Sequence, residues 1–500
     1  MSDRTTTHPP LMLSVSGCRG IFGQSMTPEV TARFAAVFGQ RLRKAALERG
    51  SPKPLMVLGR DGRLGGEVLV GAAAAGLAAS GCDVLDVGVA TTPTIGVMVD
   101  VRSAAGGLVI TASHNPQQWN GLKPMLRDAC AAAGAVAASA PSKAFADELI
   151  ADYQAATERT GRGEPGALAG PDHVGTITQA SRGGLGIADE ATNMHLTRVK
   201  DALNGLGMTD DRRSMGIKCV LDSVNASGRV GGRELLGRRL VHHLGASDNG
   251  IFPHVPEPTR ENLVGLGRFV REKQADVGFA QDPDADRLAI VDERGEYIGE
   301  EYTLVLCAET VLGSLGERAE GGVVCVNLST SRMIEDVCAR HGARVVRTAV
   351  GEANVVAAMR EAGAVFGGEG NGGVIWPRVT FIRDSLSAMG LVLGLMARTG
   401  KTISQLVADM PAYAIVKRKV DLSEQSQASR AVESIKRAYS SERLDVQDGV
   451  RVDLESKRAW LHVRGSNTEP IMRLIAEAPT QREAEAILDE AAGTIAKGSH

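Results

Sequence analysis

The stretch Leu108-Val109-Ile110-Thr111-Ala112-Ser113-His114-Asn115-Pro116 joins an apolar run to a polar loop. Leu108-Val109-Ile110 predicts a buried strand, and Asn115-Pro116 predicts the turn that follows it. The Ser113 hydroxyl would then lie at the carboxyl end of a strand, where open α/β sheets bind their ligands. The same residues also suit an ordinary polar turn, so their interpretation depends on the rest of the chain.

The chain repeats one plan of strand, helix, strand and loop three times. The first copy has a strand at 55–58, a helix at 68–80, strands at 84–87 and 108–110, and the Ser113 loop. The second has a strand at 217–222, a helix from about 232 to 244, a strand at 275–280 and a loop at 281–287. The third has a strand at 322–327, a helix at 332–341, a strand at 364–366 and a loop at 367–373. This alternation predicts parallel sheets and βαβ units, each with a loop at its ligand-binding edge.

The C-terminal part of the chain has a different pattern. Residues 450–454, 460–463 and 471–476 are predicted strands, and Thr480 with Glu483 is a capping-box signature ahead of an amphipathic helix. A small α+β domain fits this pattern. We therefore predict four domains, at residues 1–157, 158–299, 300–408 and 409–500.

Composition and charge exclude several classes of protein. With 56 basic and 59 acidic residues, the net charge of −3 offers no field that would attract nucleic acid or an anionic membrane. The first residues lack the apolar core of a signal peptide, and no apolar run is long enough to span a bilayer. Seven cysteines without a CxxC pair indicate a reduced compartment. We expect a cytoplasmic protein that binds neither nucleic acid nor membrane.

The loop Asp282-Pro283-Asp284-Ala285-Asp286-Arg287 is the strongest single signal. Its three carboxylates at alternate positions converge on one point and require a hard cation with oxygen ligands. The spacing also suits an EF-hand with Glu293 as its last ligand, but Arg287 stands where that loop requires glycine, and both flanks are predicted strands. We therefore reject a calcium-storage loop. A solvated acidic turn is the weaker alternative, because burying unpaired carboxylates between strands is costly.

The acidic loop and the Ser113 loop together predict phosphoryl transfer. Three carboxylates leave a Mg²⁺ ion with open positions, which water or a phosphate oxygen would fill. A phosphoryl group on Ser113 would be a natural fourth ligand, and the ion would draw charge from the phosphorus during transfer.

Two further loops suit a phosphorylated sugar. Arg464-Gly465-Ser466-Asn467-Thr468-Glu469-Pro470, with Arg473 beyond it, offers guanidinium groups, hydroxyls and backbone N–H groups to an anion. Gly367-Gly368-Glu369-Gly370-Asn371-Gly372-Gly373 presents two polar side chains that can bond vicinal sugar hydroxyls. A polar hairpin and a flexible turn are the plain alternatives. No Walker A pattern is present, so a nucleotide is not the obvious phosphate bearer.

These four loops, in this order, resemble those of the α-D-phosphohexomutases, a family that includes phosphoglucosamine mutase, phosphomannomutase and phosphoglucomutase. The resemblance covers essentially the whole chain, from Gly17-Cys18-Arg19-Gly20 to the Arg464 loop. It implies three related α/β domains with mixed or parallel sheets and a smaller C-terminal α+β domain around a central cleft. It also implies reversible transfer between the 1- and 6-positions of a hexose phosphate, one Mg²⁺ per chain, a hexose 1,6-bisphosphate as catalytic activator, and a monomer or homodimer.

The resemblance also implies a role for individual residues. Ser113 would be the phosphoserine and a metal ligand together with Asp282, Asp284 and Asp286. The residues expected to line the reaction centre are Arg19, His114, Lys123 and Arg287, with Lys123 as a proton-transfer residue. The residues expected to bind sugar hydroxyls are Glu369 and Asn371, and those expected to bind the non-reacting phosphate are Arg464, Ser466, Asn467, Thr468 and Arg473.

One departure from the family bears on mechanism and substrate. Many bacterial members have histidine where this chain has Gly373, so a proton-transfer role for that histidine cannot be carried over. The Gly-Glu-Gly-Asn-Gly-Gly loop resembles members named phosphoglucosamine mutase, which favours glucosamine 6-phosphate over mannose or glucose phosphates. A metal-dependent phosphatase or a bisphosphate synthase is a second enzyme hypothesis. A sugar-phosphate binding protein with a decayed centre would have lost Ser113 or an aspartate of the acidic loop, and all are present.

Overall fold

A computed structural model describes residues 10–162, 169–180, 189–208, 216–238, 240–422, 424, 427–465 and 471–498. Within these residues the chain forms four sheets, one in each of four successive regions. Three regions are α/β and the last is a smaller α+β domain, so the predicted fold class is confirmed. None of the helices in the described part is both long and apolar enough to cross a lipid bilayer.

The first domain is built on a mixed sheet. Its described elements are β1 (Met12–Ser14), β2 (Gly17–Ile21), α1 (Pro28–Leu47), β3 (Leu55–Arg60), α2 (Gly66–Ala79), β4 (Asp83–Val89), α3 (Thr92–Val101), β5 (Gly106–Ile110), β6 (Trp119–Arg127), β7 (Ala138–Ser139), α4 (Lys143–Gly161) and β8 (Ile177–Gln179). The strand order is β1-β2-β6-β5-β3-β4-β8, with β7 on β6. Strand β3 runs parallel to β4 and β5, whereas β6 runs antiparallel to β5.

The first sheet extends past the predicted boundary at residue 157. Helix α4 continues to Gly161, and β8 then pairs in parallel with β4. The sequence of β8, Ile177-Thr178-Gln179, is short and exposed, so its pairing depends on the open edge of β4 rather than on apolar burial.

The second and third domains share one sheet topology. Described elements of the second are α5 (Glu190–Asn204), β9 (Cys219–Asp222), α6 (Gly228–Leu236), β10 (Val241–Leu244), α7 (Val264–Lys273), β11 (Val277–Gln281) and β12 (Leu288–Val291). Those of the third are α8 (Glu300–Leu315), β13 (Val323–Asn327), α9 (Met333–Arg340), β14 (Arg344–Thr348), α10 (Glu352–Ala362), β15 (Phe366–Glu369), β16 (Gly373–Ile375), α11 (Ser385–Thr399) and α12 (Ile403–Ala408). In both sheets three parallel strands are followed by one antiparallel strand, in the orders β10-β9-β11-β12 and β14-β13-β15-β16. This equivalence explains the internal repeat.

One predicted helix in the second domain is wrong in part. The segment from about 232 to 244 contains the end of helix α6 at Leu236, then Gly237 at a φ of 88° and strand β10. Glycine at positive φ ends the helix at little steric cost. The next residues then pair in parallel with β9 instead of continuing the helix.

The C-terminal domain has an antiparallel sheet in the order β17-β21-β20-β19-β18. Its described elements are β17 (Ala414–Asp421), α13 (Gln427–Ala438), β18 (Arg443–Asp445), β19 (Val450–Leu454), β20 (Ala459–Gly465), β21 (Ile471–Ala478) and α14 (Gln481–Gly498). The predicted capping box is present, because the Glu483 N–H donates to Thr480 Oγ1 and the Thr480 N–H donates to Glu483 Oε2.

A shared apolar core joins the second and third domains. Helix α11 lies in this core and is buried from Ser385 to Met396. It packs on α8 and α5, and its N-terminal end lies beside the acidic loop, where Ser385 Oγ donates to the Ala285 carbonyl at 2.7 Å. The core therefore fixes the position of the acidic loop relative to the third domain.

Candidate active site

Ser113 lies three residues after the end of strand β5, in a strained and firmly held turn. Its φ is 50°, a left-handed conformation that is uncommon for a residue with a side chain. The Ser113 N–H donates to Thr111 Oγ1 at 2.8 Å, and the buried guanidinium of Arg63 donates to the Ser113 carbonyl. Arg63 also donates to Asp61 Oδ2 at 2.8 Å and to the Trp119 carbonyl at 2.8 Å. These bonds hold the hydroxyl at the carboxyl edge of the sheet.

The acidic loop of the second domain meets Ser113 from the opposite side. Ser113 Oγ donates to Asp282 Oδ2 at 3.0 Å. The loop connects β11 to β12, both buried strands, in agreement with the prediction and unlike an EF-hand. Asp282, Asp284 and Asp286 are fully buried, and one carboxylate oxygen of each lies within 4.8 Å of the others.

This arrangement fits a hard divalent cation. Asp284 Oδ1 and Asp286 Oδ1 are buried without a hydrogen-bond partner in the described residues. Buried unpaired carboxylate oxygens are unfavourable unless a cation or proton compensates them. Burial and the neighbouring Asp284 and Asp286 raise the pKa of Asp282 well above its usual range. All the donor atoms are carboxylate oxygens, which are the ligands that suit Mg²⁺.

Lys123 brings a positive charge from the first domain to the acidic loop. It lies on β6, opposite Val109 of β5. Its Nζ donates to Asp286 Oδ2 at 2.7 Å and to Asp284 Oδ2 at 3.4 Å. Burial opposes the ammonium form, but Asp286 and Asp284 outweigh it and raise the pKa of Lys123. Lys123 therefore carries its proton at neutral pH.

The remaining residues expected at the reaction centre surround the Ser113 turn. Arg19 Nη1 donates to Asn115 Oδ1 at 2.9 Å, and the Arg287 N–H donates to Asp282 Oδ1 at 3.2 Å. Burial, Arg287 and Arg19 lower the pKa of His114 to about 3. His114 is therefore neutral at physiological pH and is a weak base in this arrangement.

The glycine-rich loop of the third domain places Glu369 beside the acidic loop. Asn327 Nδ2 donates to Glu369 Oε1 at 2.9 Å, so the carboxylate is held at the end of β15. Asn371 is half-buried, and its Oδ1 accepts from the Gly373 N–H at 3.2 Å. A Cβ on Gly370 would lie 2.1 Å from the Glu301 carboxylate, so this loop has room only for glycine there.

Arg383 links the two loops and was not predicted. Its Nη2 donates to Asp286 Oδ2 at 2.5 Å and its Nη1 donates to Glu369 Oε2 at 2.7 Å. Its Nε lies 3.3 Å from Glu352 Oε2, a second carboxylate that the sequence did not single out. The Arg383-Asp384 pair before an apolar helix signals a helix N-cap at Asp384, but nothing local indicates that Arg383 binds three carboxylates.

Arg464 and Arg473 come from adjacent strands of the C-terminal domain, where they are directly opposite in the β20–β21 register. Arg473 is exposed, whereas Arg464 is half-buried. Burial lowers the pKa of Arg464, while the carboxylates of Asp448 and Glu369 act in the opposite direction. The effect of Glu369 indicates that the guanidinium is within electrostatic reach of the glycine-rich loop. The other residues predicted to bind phosphate, Ser466, Asn467 and Thr468, lie outside the described residues.

Known proteins share both the domain order and the overall architecture. The chain matches the phosphoglucomutase/phosphomannomutase alpha/beta/alpha domains I, II and III at residues 12–148, 196–295 and 300–413, and the C-terminal domain at 416–494. A Thermococcus kodakarensis protein named phosphoglucomutase/phosphomannomutase is 33% identical over 477 residues, 95% of this chain and 96% of that protein. A Methanopyrus kandleri protein named "Probable phosphoglucosamine mutase" is 34% identical over 482 residues, 95% of each chain.

A solved structure agrees with these matches. The crystal structure of a phosphoglucomutase/phosphomannomutase family protein from Burkholderia thailandensis superimposes with a TM-score of 0.76 at 25% identity, covering 97% of this chain and 98% of that one. All four domain models match in order, and relatives above 30% identity span nearly the full length. The chain therefore belongs to the phosphoglucomutase/phosphomannomutase family, which confirms the resemblance to the α-D-phosphohexomutases.

Proposed function

We propose that this phosphohexomutase interconverts glucosamine 6-phosphate and glucosamine 1-phosphate through a phosphorylated Ser113 and a hexose 1,6-bisphosphate. The observation that carries the proposal is the contact between Ser113 Oγ and the acidic loop. It brings a nucleophilic hydroxyl from the first domain within hydrogen-bond reach of the proposed cation site in the second. Phosphoryl transfer depends mainly on such positioning and charge stabilisation.

The proposed cation site consists of Asp282, Asp284 and Asp286, with the phosphoryl group of Ser113 as a further ligand. A bound Mg²⁺ would supply Lewis-acid stabilisation of the charge that develops on the transferring phosphoryl group. The two unpaired oxygens of Asp284 and Asp286 support this assignment.

In the first half-reaction a sugar hydroxyl oxygen attacks the phosphorus on Ser113, and the bond between phosphorus and Ser113 Oγ breaks. In the second, Ser113 Oγ attacks the other phosphate of the bisphosphate, and the bond between that phosphorus and its sugar oxygen breaks. The attacking oxygen loses a proton and the leaving oxygen gains one in each case, so a group that both gives and accepts a proton is required. Lys123 is the proposed group: its Nζ carries a proton that it can give to the leaving oxygen, and it contacts Asp286 and Asp284 of the acidic loop that also contacts Ser113. His114, with a pKa of about 3, is a weaker choice for this role.

The other expected residues would bind and orient the substrate. Glu369, held by Asn327 and Arg383, presents a fixed acceptor for sugar hydroxyls. Arg464 would bind the non-reacting phosphate, together with the residues of its loop that lie outside the described part. Arg19 and Arg287 would neutralise charge around the reacting phosphoryl group.

The choice of substrate rests on similarity. Several relatives at 28–34% identity are named "Probable phosphoglucosamine mutase", while the 33%-identical Thermococcus kodakarensis protein is named phosphoglucomutase/phosphomannomutase. Interconversion of mannose or glucose phosphates is therefore the second candidate function. Both reactions would use the same phosphoryl-transfer residues and differ at carbon 2 of the sugar.

A side-by-side assay separates the candidates. The 1-phosphates of glucosamine, mannose and glucose are supplied with Mg²⁺ and a catalytic amount of glucose 1,6-bisphosphate, and kcat/KM is measured for each. The proposal expects glucosamine 1-phosphate to have the highest value. A higher value for mannose or glucose phosphate overturns the substrate assignment, and release of inorganic phosphate in place of isomer indicates a phosphatase.

A further inference from the structure

Asp448 lies against the phosphate-binding arginine of the C-terminal domain. It occupies the turn between β18 and β19, next to Gly449 at a φ of 68°. A Cβ on Gly449 would lie 2.2 Å from the Val463 carbonyl oxygen and 2.8 Å from the Arg464 Cα. The turn can therefore press against the end of β20 only because this residue is glycine.

The close approach places a carboxylate beside the Arg464 guanidinium. Asp448 Oδ2 lies 3.7 Å from Arg464 Nη1. The Nε of Arg464 is buried and has no hydrogen-bond partner in the described part of the chain. One side of the guanidinium thus faces an acidic group.

Asp448 itself is held in place by the third domain. Its Oδ2 accepts from the Val350 N–H at 3.3 Å, two residues before Glu352 of the site. Its backbone carbonyl accepts from His462 Nε2 at 2.7 Å, and His462 Nδ1 accepts from Ser329 Oγ at 2.9 Å. These contacts cross the boundary between the third and C-terminal domains, so the carboxylate stays near Arg464 without a substrate.

We propose that Asp448 competes with the substrate phosphate for Arg464 and so limits how tightly the phosphate binds. The inference rests on the proposed function. There the bisphosphate reorients between the half-reactions, so the phosphate site must also release the phosphate that it binds. A carboxylate beside the arginine repels the phosphate and offsets part of the positive charge that attracts it. Binding then stays weak enough for exchange of the two phosphates.

The test compares Asp448→Asn with Asp445→Asn. Both changes remove one negative charge from the same hairpin. Asp445 accepts a hydrogen bond from Gln447 Nε2, whereas Asp448 lies beside Arg464, so Asp445→Asn is the matched control. Calorimetry measures the Kd for inorganic phosphate and for glucosamine 6-phosphate. We expect Asp448→Asn to bind both about three- to fivefold more tightly than wild type, and Asp445→Asn to bind them as wild type does.

Turnover and a double-mutant cycle complete the test. Asp448→Asn should lower KM and kcat together, because tighter binding of the phosphate slows reorientation of the bisphosphate. In an Arg464→Gln background the effect of Asp448→Asn on phosphate binding should fall to that of the control. Unchanged or weaker phosphate binding by Asp448→Asn, with wild-type thermal stability, overturns the inference and assigns Asp448 to orienting Arg464 for binding. Because inorganic phosphate is the probe, this result is independent of which hexose phosphate the enzyme converts.

Discussion

Ser113 Oγ donates a hydrogen bond to Asp282 Oδ2 at 3.0 Å, although 169 residues separate the two in the chain. The first residue lies in the loop after strand β5 of the first domain, and the second begins the acidic loop of the second domain. Both loops lie at the carboxyl ends of parallel strands, so two sheets bring their ligand-binding edges together at this contact. A hydroxyl in this position can carry a phosphoryl group within reach of a bound cation.

Replacing the hydroxyl tests that arrangement directly. Ser113→Ala should lower kcat by at least about a thousandfold, because the covalent step loses its acceptor. Mass spectrometry of the wild-type protein after incubation with glucose 1,6-bisphosphate should locate one phosphoryl group on Ser113, and the variant should carry none. A variant that retains turnover would contradict the phosphoserine mechanism.

The acidic loop should bind divalent cations through Asp284. The substitution Asp284→Asn replaces one of the cluster's carboxylates, which has an unpaired buried oxygen, with a neutral amide. The affinity for Mn²⁺, measured by electron paramagnetic resonance, should therefore fall by about tenfold or more. Mg²⁺ should raise the Tm of the wild-type protein, since an ion that binds only the folded chain stabilises it. A variant that binds Mn²⁺ like the wild type would place the cation elsewhere.

Arg383 should be required for both stability and substrate binding. Its guanidinium is the counter-charge shared by Asp286, Glu352 and Glu369. Arg383→Met leaves buried carboxylates unpaired and should destabilise the protein by about 3–5 kcal/mol, seen as a lower Tm. Arg383→Lys keeps the charge but not the planar fork, so it should retain more of the Tm while raising KM for the hexose phosphate. Equal KM values for Arg383→Lys and wild type would limit Arg383 to a structural role.

Sequence patterns identified the site residues whose position depends on their neighbours in the chain. They missed the residues whose role depends on tertiary contacts. Ser113, Glu369 and the acidic loop each follow an apolar strand, so their position at a sheet edge can be read from neighbouring residues. Arg383 and Glu352 act through partners far away in the sequence, and no local pattern distinguishes them from exposed charges. The pairing of β10 was missed for a related reason, since four residues that alternate little between apolar and polar can belong to a helix or a strand.

His254 should stabilise the protein in a pH-dependent way. Its Nε2 donates to Asp222 Oδ2 at 2.8 Å and its Nδ1 donates to the Val255 carbonyl at 2.8 Å, so the ring is held as the imidazolium. The hydrogen bond with Asp222 raises the pKa of His254 above 6.5 in the folded state. The stabilisation is therefore complete below pH 6.5 and is lost as the pH rises through the folded pKa.

Thermal unfolding of wild type and His254→Gln at pH 6 and pH 8 measures this effect. The wild type should have the higher Tm at pH 6, and the difference should shrink at pH 8 by the equivalent of at most about 1 kcal/mol, because His254 is partly exposed. A difference that grows from pH 6 to pH 8 would show that the imidazolium does not contribute.

Gly370 should be irreplaceable in the glycine-rich loop. A Cβ there would meet both oxygens of the Glu301 carboxylate at 2.1 Å, and that carboxylate is fixed because its Oε2 accepts from the Ser331 N–H at 3.0 Å. Gly370→Ala must therefore displace the loop that carries Glu369, which should raise KM for the hexose phosphate about tenfold or more.

A helical glycine provides the matched control for this substitution. Gly71 lies in α2, and a Cβ there would meet no atom within 4 Å. Gly71→Ala should leave KM unchanged and raise Tm slightly, since alanine favours a helix by up to about 1 kcal/mol. If Gly370→Ala also left KM unchanged, the glycine-rich loop would tolerate displacement, and Glu369 could not be the fixed sugar acceptor that its bonds to Asn327 and Arg383 imply.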